Sequence, residues 1–316
     1  MSPMELLYFF EKLRNPLLDG FFLTVTQFGD EILFIAIALM IFWCVDKTTG
    51  YYLMSVCFFG VVLNQALKIA MQVPRPWVID PSFTIVEAAR DAASGYSFPS
   101  GHTQNGVSIF GCLFASAPTL FGRHTKTTVF RIICVVFAIL VPVSRMYLGV
   151  HTPADISVSA IIAIFTVVLF RFLFKAAEKK PVILYIIIAF MVIFATAYLL
   201  YAGTFDTSAD ENIATGYKHG WYMLGAVTAI AISYPFEKKF VRFETKASLP
   251  GHILKLALGV AVVVGIKSAL KQPLYSLFGG HYAADAVRYF AMVFFAVCIW
   301  PLTFKLFSKT KKEENV

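Results

Sequence analysis

The sequence predicts an all-α fold: a polytopic transmembrane helical bundle of about nine spans, preceded by an N-terminal interfacial amphipathic helix. Three observations predict it. Of the 316 residues 58% are hydrophobic and only 15% charged, with a mean hydropathy of +0.72, where a soluble chain carries about 45–50% and about 25%. Apolar runs of about 20 residues, enough to cross a bilayer, recur along the chain. The basic residues gather in alternate gaps between those runs. A soluble enzyme, a disordered chain and a small disulfide scaffold are excluded. The net charge of +8 then reports membrane orientation, and no nucleic-acid partner is expected.

Taken in order, the first 28 residues set Glu5, Glu11, Lys12, Arg14 and Asp19 among Leu and Phe. They are too interrupted to span and read as amphipathic helix at the interface. They lack a basic start, a short apolar core and a small-residue cleavage site, so no cleaved signal peptide is expected. Spans follow near 30–46, 51–73, 101–120, 129–147, 153–174, 181–201, 218–235, 252–270 and 284–307. Cys44, Cys57, Cys112, Cys134 and Cys298 all lie inside these runs without C-x-x-C spacing. They read as packed small hydrophobes, with neither a disulfide framework nor a zinc site.

Loop charges orient the bundle. If every run spans, one side receives Lys47; Arg123, Lys126 and Arg131; Arg171, Lys175, Lys179 and Lys180; Lys238, Lys239, Arg242 and Lys246; and Lys305, Lys309, Lys311 and Lys312. That side is cytoplasmic. The opposite loop 202–217 holds Asp206, Asp210 and Glu211 and no Lys or Arg. An odd count puts the N-terminus outside and the C-terminus inside. The expected home is the plasma (inner) membrane with an external or periplasmic site, or the endoplasmic reticulum with a lumenal one.

Lys68, Arg75, His102, Arg145, His151 and Asp155 all fall on the external side, and ionisable groups at buried helix ends mark function. They come from three segments: Lys68 to Arg75-Pro76; Pro99-Ser100-Gly101-His102; and Ser144-Arg145 through His151 to Asp155. Lys68 and Arg75 are about two turns apart and would share a helix face, but Pro74 and Pro76 end the helix first, letting Arg75 fold over the site. Ser100 is a good N-cap, so the N–H groups opening the next helix point at an anion. Thr152 and Pro153 read as N-cap and first helical residue, placing Asp155 in the first turn beside His151. Three cations and a helix start favour a dianion such as phosphate. His151 with Asp155 is a nucleophile with its orienting carboxylate, and His102 is the candidate general acid. With no second carboxylate cluster expected there, no metal and no cofactor are assigned, and the cations supply the charge stabilisation.

These segments match, at every fixed position, the K-x6-R-P, P-S-G-H and S-R-x5-H-x3-D signature, and the chain resembles the type 2 phosphatidic acid phosphatase superfamily. The resemblance implies a phosphohistidine on His151, Asp155 as orienter, His102 as leaving-group acid, and a phosphate pocket of Lys68, Arg75, Ser100, Gly101 and Arg145. It covers 68–155 directly and about 1–175 with the surrounding helices, implying a phosphatase core over 1–175 and a C-terminal four-helix transmembrane extension over 176–316. The segments Leu18-Asp19-Gly-Phe-Phe, Phe28-Gly29-Asp30-Glu31 and Phe42-Trp43 are similar to sphingoid-base phosphate phosphatases, nine-span members of the superfamily. The implied function is metal-independent hydrolysis of lipid phosphomonoesters or pyrophosphates at the external face. The implied partners are a lipid phosphate and membrane lipids. Hydrolysis of a soluble phosphate in the manner of glucose-6-phosphatases, phosphotransfer, and non-hydrolytic lipid transport or binding are the alternatives.

Other polar residues have plainer readings. Trp77, Tyr96 and Tyr147 suit an interfacial belt. Residues 77–98 form an exposed cap, and Asn64 and Gln65 hydrogen-bond between helices. His124, His219 and His252 are solvated. Gly279-Gly280-His281 through Asp285 echoes the His151 segment, with Lys267 before Pro273 at the Lys68–Pro74 spacing, but without a P-S-G-H equivalent. It is read as a polar helix start.

Overall fold

The computed structural model describes residues 3–122 and 125–307. Arg123, His124, Lys309, Lys311 and Lys312 lie outside the described residues. Within them the chain is helical, without strands: α1 Pro3–Lys12, α2 Pro16–Thr26, α3 Glu31–Cys44, α4 Lys47–Met71, α5 Pro76–Ile79, α6 Gly101–Phe121, α7 Thr125–Tyr147, α8 Pro153–Lys179, α9 Val182–Ala202, α10 Glu211–Phe236, α11 Leu249–Ala269, α12 Lys271–Leu277 and α13 Ala283–Phe294. A π-helical turn at Phe295–Ile299 and a 3-10 segment at Trp300–Leu306 continue α13.

A helix stands over each of the nine apolar runs, yet six stretches among the described residues are long and apolar enough to cross a membrane. The number is seven if α2 and α3, bent by 51° at their junction, count as one. The difference has a physical source. α3 has only 14 residues. α6 spends its first turns on His102, Thr103, Gln104 and Asn105, and α10 opens with Glu211, Asn212, Lys218 and His219. The N-terminal segment is two helices where one is predicted. Pro16 takes a first-turn position of α2, and Asn15 caps it by accepting from Leu18 N–H at 3.1 Å. α1 is also anchored: Leu7 is fully buried and packs with Phe83 and Ile85.

The chain forms two compact units that interleave in sequence. The first takes residues 1–35, 52–184 and 197–220, and the second takes 36–51, 185–196 and the chain from 221 onward. α6 is the axis of the first unit and packs against α7 and α8. A Cβ at Gly106 would stand 2.8 Å from Val141 Cγ1, so glycine is what lets α7 approach that closely. Such close contact is how membrane helices associate where burial from water offers little.

In the second unit, Trp43 is fully buried and donates to Ala296 O at 2.8 Å. Lys47 pairs with the fully buried Glu237 at 2.7 Å. The five cysteines are free thiols, four of them buried.

Candidate active site

A cavity of about 260 Å³ opens in the first unit, lined by Lys68, Arg75, Gly101, His102 and His151, together with Asp30, Glu31, Asn64, Gln65, Gln104, Asn105 and His219. Each element arrives by a local rule. α4 stops at Met71, and Gln72 takes a left-handed φ of 48°. Pro74 and Pro76 bracket Arg75, which is extended and precedes the short α5.

The cations are held by one loop. Lys68 Nζ donates to Tyr96 O. Arg75 donates from Nε to Gly95 O at 3.0 Å and from Nη2 to Ser94 O at 2.8 Å. Its Nη1 reaches Val150 O at 2.9 Å. Three consecutive carbonyls therefore cradle two cations, and Gly95 adopts the φ of +70° that turns its carbonyl inward. Trp77 flanks the guanidinium, with Arg75 Cζ 5.9 Å from the ring centroid.

His151 is almost wholly buried. Its Nδ1 lies 3.3 Å from Asp155 Oδ2, and its Nε2 lies 3.0 Å from Arg75 Nη1. That same carboxylate oxygen accepts Thr152 N–H at 2.8 Å and Ser97 Oγ–H at 2.5 Å. Thr152 in turn caps Asp155 N–H, closing a capping box at the start of α8. Nδ1 is thus the protonated nitrogen and Nε2 carries the lone pair. Burial, then the charges of Arg75, Arg145 and Lys68, push the His151 pKa well below its ordinary value.

Ser100 is fully buried and caps α6, accepting from Thr103 N–H at 3.4 Å. The first N–H groups of α6, those of Gly101 and His102, lack intrahelical partners at the point where both residues line the cavity. Ser100, Arg145 and Asp155 are buried and do not line it themselves. Arg145 is fully buried and donates from Nη1 to Thr26 Oγ at 2.8 Å, while its Nε and Nη2 have no partner among the described residues. An unpaired buried guanidinium is costly and favours an anion beside it.

The chain has relatives among known proteins. Residues 48–179 match the model of the PAP2 superfamily, and 221–312 match the PAP2 superfamily phosphatase transmembrane extension. The undecaprenyl-diphosphatase BcrC of Bacillus subtilis is 30% identical over 155 residues, 48% of this chain and 72% of that protein. The chain belongs to the PAP2 superfamily. It is a membrane phosphatase, a phosphoric ester hydrolase, of that family. A probable sphingosine-1-phosphate phosphatase of Dictyostelium discoideum is 28% identical over 48% of this chain. The match spans only 37% of that relative's length. The structure of Aquifex aeolicus LpxE aligns with a TM-score of 0.44 at 25% identity, over 53% of this chain and 93% of that one.

Several residues of this PAP2 phosphatase stand where their sequence context did not place them. Asn64 and Gln65, read as interhelical, line the cavity, and so does His219, read as solvated; its Nδ1 lies 2.7 Å from Thr215 O. Asp30 and Glu31 bring carboxylates to the rim where none was expected. Tyr147, assigned to a belt, is buried, stacks on Phe22 at 4.2 Å and donates to Asp19 at 2.7 Å. The cap 77–98 is tied down in two clusters: Phe83 and Ile85 pack with Leu7, and Ala89 and Ala93 pack with Tyr147, Leu148 and Val150. At the echo, Asp285 is taken by Arg288 and Tyr275. His281 Nδ1 accepts from Ala283 N–H at 3.0 Å, so no His–Asp pair forms there.

Proposed function

We propose that this protein hydrolyses lipid phosphomonoesters or pyrophosphates through a phosphohistidine, with no metal. One observation carries the reading: Lys68, Arg75, His102 and His151 share one cavity, with His151 Nε2 beside Arg75 Nη1 and Nδ1 backed by Asp155. Lys68, Arg75 and Arg145, with the N–H groups of Gly101 and His102 that follow the Ser100 cap, neutralise the phosphate. His151 Nε2 attacks phosphorus, and the bond to the leaving oxygen breaks with its electron pair going to that oxygen. His102 supplies the proton that makes it a hydroxyl. Water, giving a proton to His102, then attacks the phosphohistidine. The P–N bond breaks, inorganic phosphate leaves, and both histidines return to their first state. Asp155 stabilises the positive charge that the imidazole gains in each half.

The phosphatase core is assigned to 1–175 and the four-helix extension to 176–316. Nine spans, with α1 and α2 resting at the interface, put the Lys-rich loops in the cytoplasm and the site outside. A plasma (inner) membrane fits that orientation, with the endoplasmic reticulum and a lumenal site as the eukaryotic equivalent. A head group held at the helix ends while its chain stays in the bilayer favours a lipid over a soluble phosphate. The test is a panel assayed on one purified preparation: sphingoid-base phosphate, phosphatidic acid, phosphatidylglycerol phosphate, polyprenyl pyrophosphate and glucose 6-phosphate. The highest kcat/KM is expected on a lipid, in EDTA as in magnesium. The highest value on glucose 6-phosphate, or an absolute need for magnesium, refutes the proposal.

A further inference from the structure

The cavity has a second wall that phosphate chemistry does not use. On α4, Asn64 lies one turn before Lys68 and Gly60 one turn before that; on α6, Gln104 lies within a turn of Gly101 and Ser108 one turn deeper. The two faces meet. Asn64 Oδ1 is 3.8 Å from a Cβ built on Gly101, and Gln104 Nε2 is 3.1 Å from one built on Gly60. Asn64 is 2% exposed and Gln104 1%. Neither the oxygen nor the nitrogen of either amide has a hydrogen-bond partner among the described residues, and the hydroxyl of Ser108 is likewise unpaired. Both amides line the cavity. Buried amides are normally paired, and leaving one unpaired is costly. Two of them, on residues that line the same cavity, mark a place that a ligand group fills.

We infer that Asn64 and Gln104 form a specificity subsite for a hydrogen-bonding substituent of the leaving group, a hydroxyl, amine or ester, within about one helical turn (about 5 Å) of the phosphate. The inference rests on the phosphatase reading of the same cavity and narrows its substrates. Amides donate and accept but carry no charge, so they suit neutral or ammonium-bearing substituents. A second phosphate at this place would meet no cation beyond Lys68 and Arg75 on the cavity lining. It would share the cavity with Asp30 and Glu31, whose like charge opposes it. The favoured substrates are monophosphates of lipids with polar groups beside the phosphate, and polyprenyl diphosphates are disfavoured. A site built to hydrogen-bond a substituent rejects analogues without it by large factors, since its own buried groups are then stranded.

The test compares kcat/KM for four probes on the full chain in detergent: sphinganine 1-phosphate, 1-acyl-glycerol 3-phosphate, hexadecyl monophosphate and farnesyl diphosphate. The first two carry the substituent from different lipid classes, the third lacks it, and the fourth offers a second phosphate. The expected wild-type ratio of the better polar monophosphate to hexadecyl phosphate is about 100-fold or more. Asn64→Leu and Gln104→Leu should each shrink that ratio at least tenfold. The ratio is internal to each preparation, so loss of folded protein does not move it. A wild-type ratio near one, a ratio unmoved in both variants, or preference for farnesyl diphosphate overturns the subsite while leaving the phosphatase reading intact. Hydrolysis of none of the four removes both.

Discussion

Ser97 is the least conspicuous member of the site and gives it a sharp test. Its side chain is fully buried and donates to Asp155 Oδ2 at 2.5 Å, the same oxygen that receives Thr152 N–H and faces His151 Nδ1. Ser97→Ala removes one of three donors and one oxygen atom, leaving the backbone N–H of Ser97 on Val73 O. A hydrogen bond to a charged group is worth about 1.5–3 kcal/mol. At about 1.4 kcal/mol per tenfold, its full loss corresponds to about 10- to 150-fold. Two donors remain, so the lower end is expected: kcat down about tenfold, with KM changed less than threefold. Ser97 acts by positioning, through Asp155, on an imidazole that becomes cationic during turnover. Ser97→Thr, which keeps the hydroxyl, should recover part of the loss. Steady-state kinetics on a lipid monophosphate read the split. A kcat within twofold of wild type, or an effect confined to KM, refutes the reasoning.

Three further outcomes follow from the same structure. Because the His151 pKa is held well below its ordinary value, the unfolded chain takes up a proton below about pH 6.5 that the native state refuses. This contribution to stability is constant above that pH and falls below it. Melting scans from pH 7.5 to 5 should show that slope flattened in His151→Asn, and an identical slope contradicts it. Cysteines placed at Thr207 and Lys179 in a background without native cysteines should label from opposite faces of intact cells, Thr207 from outside; labelling of both from outside contradicts the topology. His281→Ala should keep most activity, since Asp285 is occupied by Arg288 and Tyr275, and a loss matching that of His151→Ala would show a second working site.

What could be read from the sequence was local. Ser100, Thr152 and Pro153 follow capping rules that act over three or four residues, and Pro74 and Pro76 end a helix wherever they stand. What could not be read depends on backbone and on distance. The carbonyls of Ser94, Gly95 and Tyr96 cradle Lys68 and Arg75, and a carbonyl has no letter of its own in a sequence. Tyr96 is steadied in turn by Asp210, 114 residues away, through a 2.6 Å hydrogen bond. Burial and that bond hold the Tyr96 pKa up, to about 12. Asp30 and Glu31, which line the cavity, stand at the 51° bend between α2 and α3. The polar opening of α6 resists a simple hydropathy reading because His102, Gln104 and Asn105 line the cavity, where α10 contributes His219.

The central claim is that phosphate passes through His151. It is tested most directly by trapping the enzyme during turnover of a radiolabelled lipid monophosphate in EDTA, then mapping label by peptide mass spectrometry. The account predicts an acid-labile, alkali-stable phosphate on the peptide containing His151, formed and lost at rates compatible with kcat and absent from His151→Ala. Turnover without any phosphoenzyme, or label retained in His151→Ala, contradicts it.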